Sequence, residues 1–137
     1  MEKADIIKFI SKRKTAFIAS KNEQGYPVMR AMLAPRKIDG DELYFTTNTS
    51  SKKVGQFIKD PAGCVYFYRK GIFRYQGVCL IGKMEICTDQ ATKDAIWRPG
   101  DKAFYKQGAT DPDYCVLKFK CVSAEYYCDL KTYTVDF

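Results

Sequence analysis

The sequence predicts a mostly β domain of the α+β class. An antiparallel sheet of about six or seven strands closes into a barrel, with a few short flanking helices. Three observations carry this. Short apolar runs, rich in Val, Ile, Phe and Tyr, recur along the chain and are bounded by Gly, Pro, Asn and Asp. Several are joined at hairpin distance, with Gly25 and the Asp39-Gly40 pair as turn signals. The 137 residues are 46% hydrophobic and 15% aromatic, enough for one core and one domain spanning residues 1–137. No internal repeat, linker or low-complexity segment divides them.

The elements follow in order. Residues 3–13 place Ile6, Ile7, Phe9 and Ile10 among lysines, which predicts a short helix with one buried face. Thr15 to Ser20 reads as a strand, Lys21 to Pro27 as a hairpin turn and Val28 to Ala34 as the return strand. Period-two alternation puts Arg30 on the face opposite Met29 and Ala31. Lys37 to Asp41 is a turn and Glu42 to Thr47 a strand. Ser50 or Ser51 then caps a helix burying Val54, Phe57 and Ile58, and Asp60-Pro61 ends it. Ala62 to Arg69 is a strand, with Tyr66, Phe67 and Tyr68 alternating between core and outer face. Tyr75 to Cys87 is a longer strand, with Gly77 and Gly82 marking a bend or bulge. Thr88 or Asp89 caps a helix reaching Trp97, Pro99-Gly100-Asp101 breaks it, and a helical piece follows near Lys102 to Gln107. Tyr114 to Cys121 and Ser123 to Asp129 complete the strands, leaving a tail, Thr132 to Phe137.

Composition narrows the chemistry. The six cysteines contain no Cys-x-x-Cys spacing, which argues against structural zinc. Most lie in apolar strand-like runs, where a reduced thiol acts as a small hydrophobe. The N-terminal segment is amphipathic and charged, unlike a signal peptide, so a cytoplasmic location is expected. No run reaches the length of a membrane span, and no membrane partner is expected. The chain contains no histidine, which removes Ser-His-Asp and Cys-His catalysis and most catalytic metal sites. Chemistry then falls to a bound cofactor. The net charge of +7 admits nucleic acid, phosphate ligands or anionic surfaces. A nucleic-acid-binding barrel is disfavoured, because the lysines are scattered and the aromatics fall on core periods.

The most informative stretch is Leu43 to Lys53. A half-buried strand enters a hydroxyl-rich turn, and the turn enters a helix opening with Lys52 and Lys53. Hydroxyls, free N–H groups at a helix start and adjacent ammonium groups together suit a phosphate. Two cations at a helix N-terminus oppose its dipole by about 0.3–1 kcal/mol each, which favours a bound anion over a merely solvated helix start.

The order of these blocks resembles the pyridoxamine 5′-phosphate oxidase-like superfamily, the FMN-binding split β-barrels. The blocks are Phe17 to Pro35, Leu43 to Tyr68 and Arg74 to Ile86. The resemblance implies a homodimer with FMN at the subunit interface. It implies that Arg30, Lys52 and Lys53 grip the phosphate and ribityl chain, with Ser51 beside the phosphate. Backbone of Ala31, Met32 and Leu33, and of Thr46 and Thr47, would border the isoalloxazine, and Gln76 would make a polar contact to it. Trp97, Tyr105 and Lys106 are read as packing or dimer contacts. The tail is expected to fold over the partner subunit.

The chain departs from the oxidase proper. It is shorter and lacks the Arg-x-His segment that grips substrate there. The segments Ile96 to Gly108, Asp111 to Phe119 and Glu125 to Leu130 look like the short bacterial branch instead. The expected function is an FMN-dependent oxidoreductase passing electrons from a reduced nicotinamide to a small acceptor. The alternative is a non-catalytic protein holding a flavin, a haem or another anionic cofactor on the same barrel, with a deazaflavin the other flavin-like ligand the sequence admits. No catalytic residue is singled out, and no metal is expected.

Overall fold

A computed structural model describes residues 1–137. Its sheet has eight strands, all paired antiparallel. They are β1 (Thr15–Lys21), β2 (Pro27–Leu33), β3 (Lys37–Asp39), β4 (Glu42–Asn48), β5 (Ala62–Lys70), β6 (Tyr75–Cys87), β7 (Tyr114–Cys128) and β8 (Lys131–Asp136). The helices are α1 (Lys3–Ser11), α2 (Lys52–Lys59) and α3 (Gln90–Ile96), with 3₁₀ turns at Pro99–Ala103 and Gly108–Thr110. The strand order is β2-β1-β5-β6-β7-β4-β3, and β8 pairs with β7 beyond the end of β4. No helix is long and apolar enough to cross a membrane.

Alternation builds the core. Ile18, Phe45, Val65, Phe67, Leu80, Leu117 and Phe119 all turn to one inner face, where Ile6 and Ile10 of α1 and Val54 and Phe57 of α2 join them. Each such side chain contributes about 1.5–3 kcal/mol by leaving water. The sheet curls around this core but does not close by pairing. Strands β2 and β3 end the path, leaving the gap of a split barrel. A second, smaller cluster of Cys87, Ile96, Tyr114 and Val116 sits where α3 covers β7.

Several boundaries differ from the sequence reading. The expected six or seven strands become eight. The Lys37 to Asp41 turn contains a three-residue strand before Gly40, which takes φ +60°. The tail is β8, a hairpin partner of β7, where Tyr133 faces Tyr126. The two expected terminal strands are one strand, because Val122 is an extra residue opposite Ile81 and Gly82 and the ladder resumes beyond it. Ile58 is 70% exposed rather than buried. Its helix is only eight residues long, and Phe57 takes the space above Gly63, whose added Cβ would lie 2.8 Å from that ring. In place of the helical piece expected near Lys102 to Gln107 there are two 3₁₀ turns, one running from Pro99 to Ala103 and the other from Gly108 to Thr110. Asp89 caps α3 by accepting from Thr92 N at 3.0 Å.

Candidate functional site

Strand β2 leaves its Met29 and Ala31 side exposed and turns Arg30 to the other face, toward α2. There Arg30 Nη1 donates to Ser20 Oγ at 2.8 Å and to Ile18 O at 3.2 Å, and Nη2 donates to Gln56 Oε1 at 3.2 Å. Ser20 Oγ donates in turn to the same Gln56 oxygen at 2.5 Å. A strand, its neighbour and a helix thus converge on one guanidinium. Burial pushes the Arg30 pKa down from its ordinary value.

This network floors a groove of about 700 Å³. Lys21, Arg30, Ser51, Lys52, Gln56 and Lys59 line it, with Glu23 on the rim. Lys53 does not line it. Its ammonium is half-buried, and its pKa is lowered by burial and then by the charge of Arg30. Ser51 occupies the N-cap of α2 in extended backbone, yet its side chain makes no capping bond. Its Oγ is buried and has no hydrogen-bond partner. The N–H groups of Lys52 and Lys53, which open α2, have no helical acceptor either, whereas Val54 N donates to Ser51 O at 3.2 Å. The preceding loop is held from below: Thr49 N donates to Asp113 O at 2.7 Å and Ser50 N to the Asp113 carboxylate at 2.9 Å.

The other predicted site residues fall into three places. Met32, Leu33 and Thr46 share a small cavity of about 100 Å³ with Ala34, Arg36 and Phe45. Ala31 lies opposite Phe17 on the outer face of the sheet. Thr47 turns inward and is buried, and its carbonyl accepts from the Cys115 thiol at 3.7 Å. Gln76 is not brought to the groove. Its Nε2 donates to Tyr126 OH at 2.6 Å, and it lines a separate cavity beside α1 with Lys8, Arg13 and Arg69.

Sequence reasoning missed Ser20, Gln56 and Lys59. Helical spacing could have found two of them, since Gln56 and Lys59 lie four and seven residues after Lys52 on one face of α2. It also missed Lys93, a buried lysine whose Nζ donates to Asp111 O at 3.0 Å. Trp97 and Tyr105 pack on Tyr114, with ring centroids 5.1 and 5.2 Å away, as the packing reading expected. A bidentate pair, Arg36 with Asp101, ties the first 3₁₀ turn to the segment between β2 and β3.

The outer face of β1, β5, β6 and β7 is aromatic. Phe17 lies 5.9 Å from Tyr68, Tyr68 stacks on Tyr75 at 6.2 Å, and Tyr75 meets Tyr127 at 5.8 Å. Tyr66 and Tyr75 share a short hydroxyl–hydroxyl hydrogen bond. Cys64 and Cys79 lie on this face as neighbours, and the nearby Cys79 thiol pulls the Cys64 pKa down against the effect of burial.

Comparison with known proteins places this architecture. No curated protein matches the chain. A protein of Clostridium acetobutylicum related to general stress protein 26 of B. subtilis, described as of the pyridoxinephosphate oxidase family, is 31% identical. It covers 98% of this chain and 94% of its own, with a TM-score of 0.84. General stress protein 26 of Bacillus anthracis is 20% identical, with 96% of both chains covered and a TM-score of 0.74. A pyridoxamine 5′-phosphate oxidase-related, FMN-binding protein of Nostoc punctiforme is 18% identical, over 90% of this chain and 82% of its own, with a TM-score of 0.73. The latter two likenesses speak to fold alone. The family described as pyridoxamine 5′-phosphate oxidase like matches residues 2–135. With that match over nearly its whole length and the split barrel seen here, the chain belongs to the pyridoxamine 5′-phosphate oxidase-like family.

Proposed function

We propose that the chain is an FMN-binding oxidoreductase that works as a homodimer in the cytoplasm. The observation that carries this is the Ser51 hydroxyl, buried without a partner at the mouth of a cationic groove. Such an orphan costs about 1–3 kcal/mol unless a ligand oxygen meets it. A phosphate dianion fits the whole donor set: Ser51 Oγ, the opening N–H groups of α2, Lys52 and Arg30. Lys53 stands beside Arg30 and adds charge. The FMN-binding Nostoc protein shares this fold, which supports the same ligand here.

The remaining residues follow from that anchor. Ala31, Met32, Leu33, Thr46 and Thr47 border the ring system, and Gln76 reaches it only in a dimer, from the second copy. The exposed aromatic face of β1, β5, β6 and β7 supports that dimer, since a stable monomer rarely leaves such a patch in water. Bound FMN supplies hydride or electron transfer, from a reduced nicotinamide to a small acceptor. The protein's own residues bind the phosphate, set the ring position and exclude water from its buried edge.

The test is a visible spectrum of the purified protein with FMN titration. Stoichiometric uptake is expected, and Lys52→Ala with Lys53→Ala weakens it at least tenfold, since each charged hydrogen bond contributes about 1.5–3 kcal/mol. Unchanged affinity in that variant overturns the phosphate assignment. Uptake without oxidation of reduced nicotinamide identifies a flavin-holding protein instead. Preference for a deazaflavin in competition reassigns the cofactor.

A further inference from the structure

We propose that the sheet end formed by the β5–β6 and β7–β8 turns docks on an anionic lipid surface. Three large apolar side chains stand in water there: Ile72 is 92%, Phe73 100% and Leu130 90% exposed. The two turns are neighbours. Gln76 pairs with Cys128 across β6 and β7, and Arg74 reaches Asp129 at 3.4 Å. Cations surround the apolar tips: Arg69, Lys70 and Arg74 on one hairpin, Lys131 on the other. Lys8 of α1, with Lys12 and Arg13 just beyond its end, lines the adjoining cavity with Arg69; these four cations outnumber the one carboxylate there, Asp5, and extend the positive rim.

Backbone conformation strengthens the point. Asp129 and Leu130 both have positive φ, +52° and +64°. Glycine or asparagine is the ordinary occupant of such a two-residue turn. Leucine there is unfavourable twice, in its backbone and in its exposed side chain, and strain of this kind is retained where a residue has a task. An apolar tip with a basic rim matches the boundary of an anionic bilayer. The side chains enter the acyl edge while the cations meet headgroup phosphates. Ile72 and Leu130 offer no ring for stacking, which disfavours a nucleic acid. The sequence reading excluded a membrane on span length, and a surface dock needs no span.

The test uses the full chain with vesicles of phosphatidylcholine alone, or containing about one-third phosphatidylserine. Co-sedimentation with the phosphatidylserine vesicles only, falling as salt rises, is expected. Phe73→Ser and Leu130→Gly should each weaken it about tenfold, with FMN uptake unchanged and, for Leu130→Gly, no loss of Tm. No phosphatidylserine-dependent binding at low salt overturns the proposal, and so does binding that survives both substitutions. A changed oligomeric mass in either variant assigns the tips to a second copy, and tighter binding of a single-stranded oligonucleotide assigns them to nucleic acid. Either result also overturns it.

Discussion

The Asp113 carboxylate accepts a hydrogen bond from the backbone N–H of Ser50 at 2.9 Å. Residues 63 positions apart are thereby joined, and the loop that presents Ser51 and Lys52 to the groove is fixed to the start of β7. Asp113→Ala removes the acceptor, whereas Asp113→Asn keeps one. Alanine is expected to weaken FMN binding about three- to tenfold, the worth of one hydrogen bond of about 0.5–1.5 kcal/mol, and asparagine to restore most of it. Fluorescence titration of the flavin reads both. Equal losses would show that the negative charge matters and not the hydrogen bond.

Arg30 acts through a fork. Its Nη1 serves Ser20 and Ile18 while Nη2 serves Gln56. Arg30→Lys keeps the charge but cannot hold both directions at once. FMN affinity is expected to fall about tenfold or more in Arg30→Lys, and further in Arg30→Ala. Equal affinity of Arg30→Lys and wild type would mean that charge alone is read there.

The Arg36–Asp101 pair makes stability depend on acid. Hydrogen bonding from Arg36, opposed by burial, holds the Asp101 pKa below its ordinary value. A carboxylate with a depressed folded pKa contributes stability above its unfolded pKa, near 4, and loses it as pH falls through the folded value. Asp101→Asn is therefore expected to destabilise by about 2–3 kcal/mol at neutral pH, which is modest for a pair whose Arg36 side chain keeps 16% of its surface exposed. The difference in Tm between the two proteins should shrink as pH falls below about 4. A gap that stays constant with pH would remove the ionic account.

Gly82 marks the register shift between β6 and β7, where an added Cβ would collide with the Lys120 carbonyl. A backbone neighbour cannot swing away as a side chain can. Gly82→Ala should cost about 2–3 kcal/mol in denaturant unfolding. Gly55→Ala is the control, since nothing lies within 4 Å of its added Cβ and it sits in a helix. It should be neutral or slightly stabilising.

What was legible in the sequence was local. Alternation in Val65 to Phe67 and in Leu43 to Phe45 set strand faces, because the side-chain period of two is a property of extended backbone. Gly25 took positive φ, and Gly82 marked the irregularity expected of it, whereas the ladder passes Gly77 without a register shift. Lys52 opened a helix because Ser51 and the following apolar spacing announced one. Ile58 failed because period alone does not say where a short helix runs out of core.

Alone, the chain of letters determined most of the strands, the Gly25 hairpin and a hydroxyl-and-lysine turn suited to phosphate, since each depends on neighbours a few residues away. Tertiary structure alone decided that Ser20, Arg30 and Gln56 meet, that Gln76 stands apart from them, and that Ser51 is buried without a partner. Those facts depend on which strands lie side by side: β1 pairs with β2 through the hairpin its turn announced, and also with β5, across a gap no local pattern records. The physical reason is distance: backbone propensity acts over a turn or two, whereas a binding groove is assembled from segments that only packing of the shared core brings together.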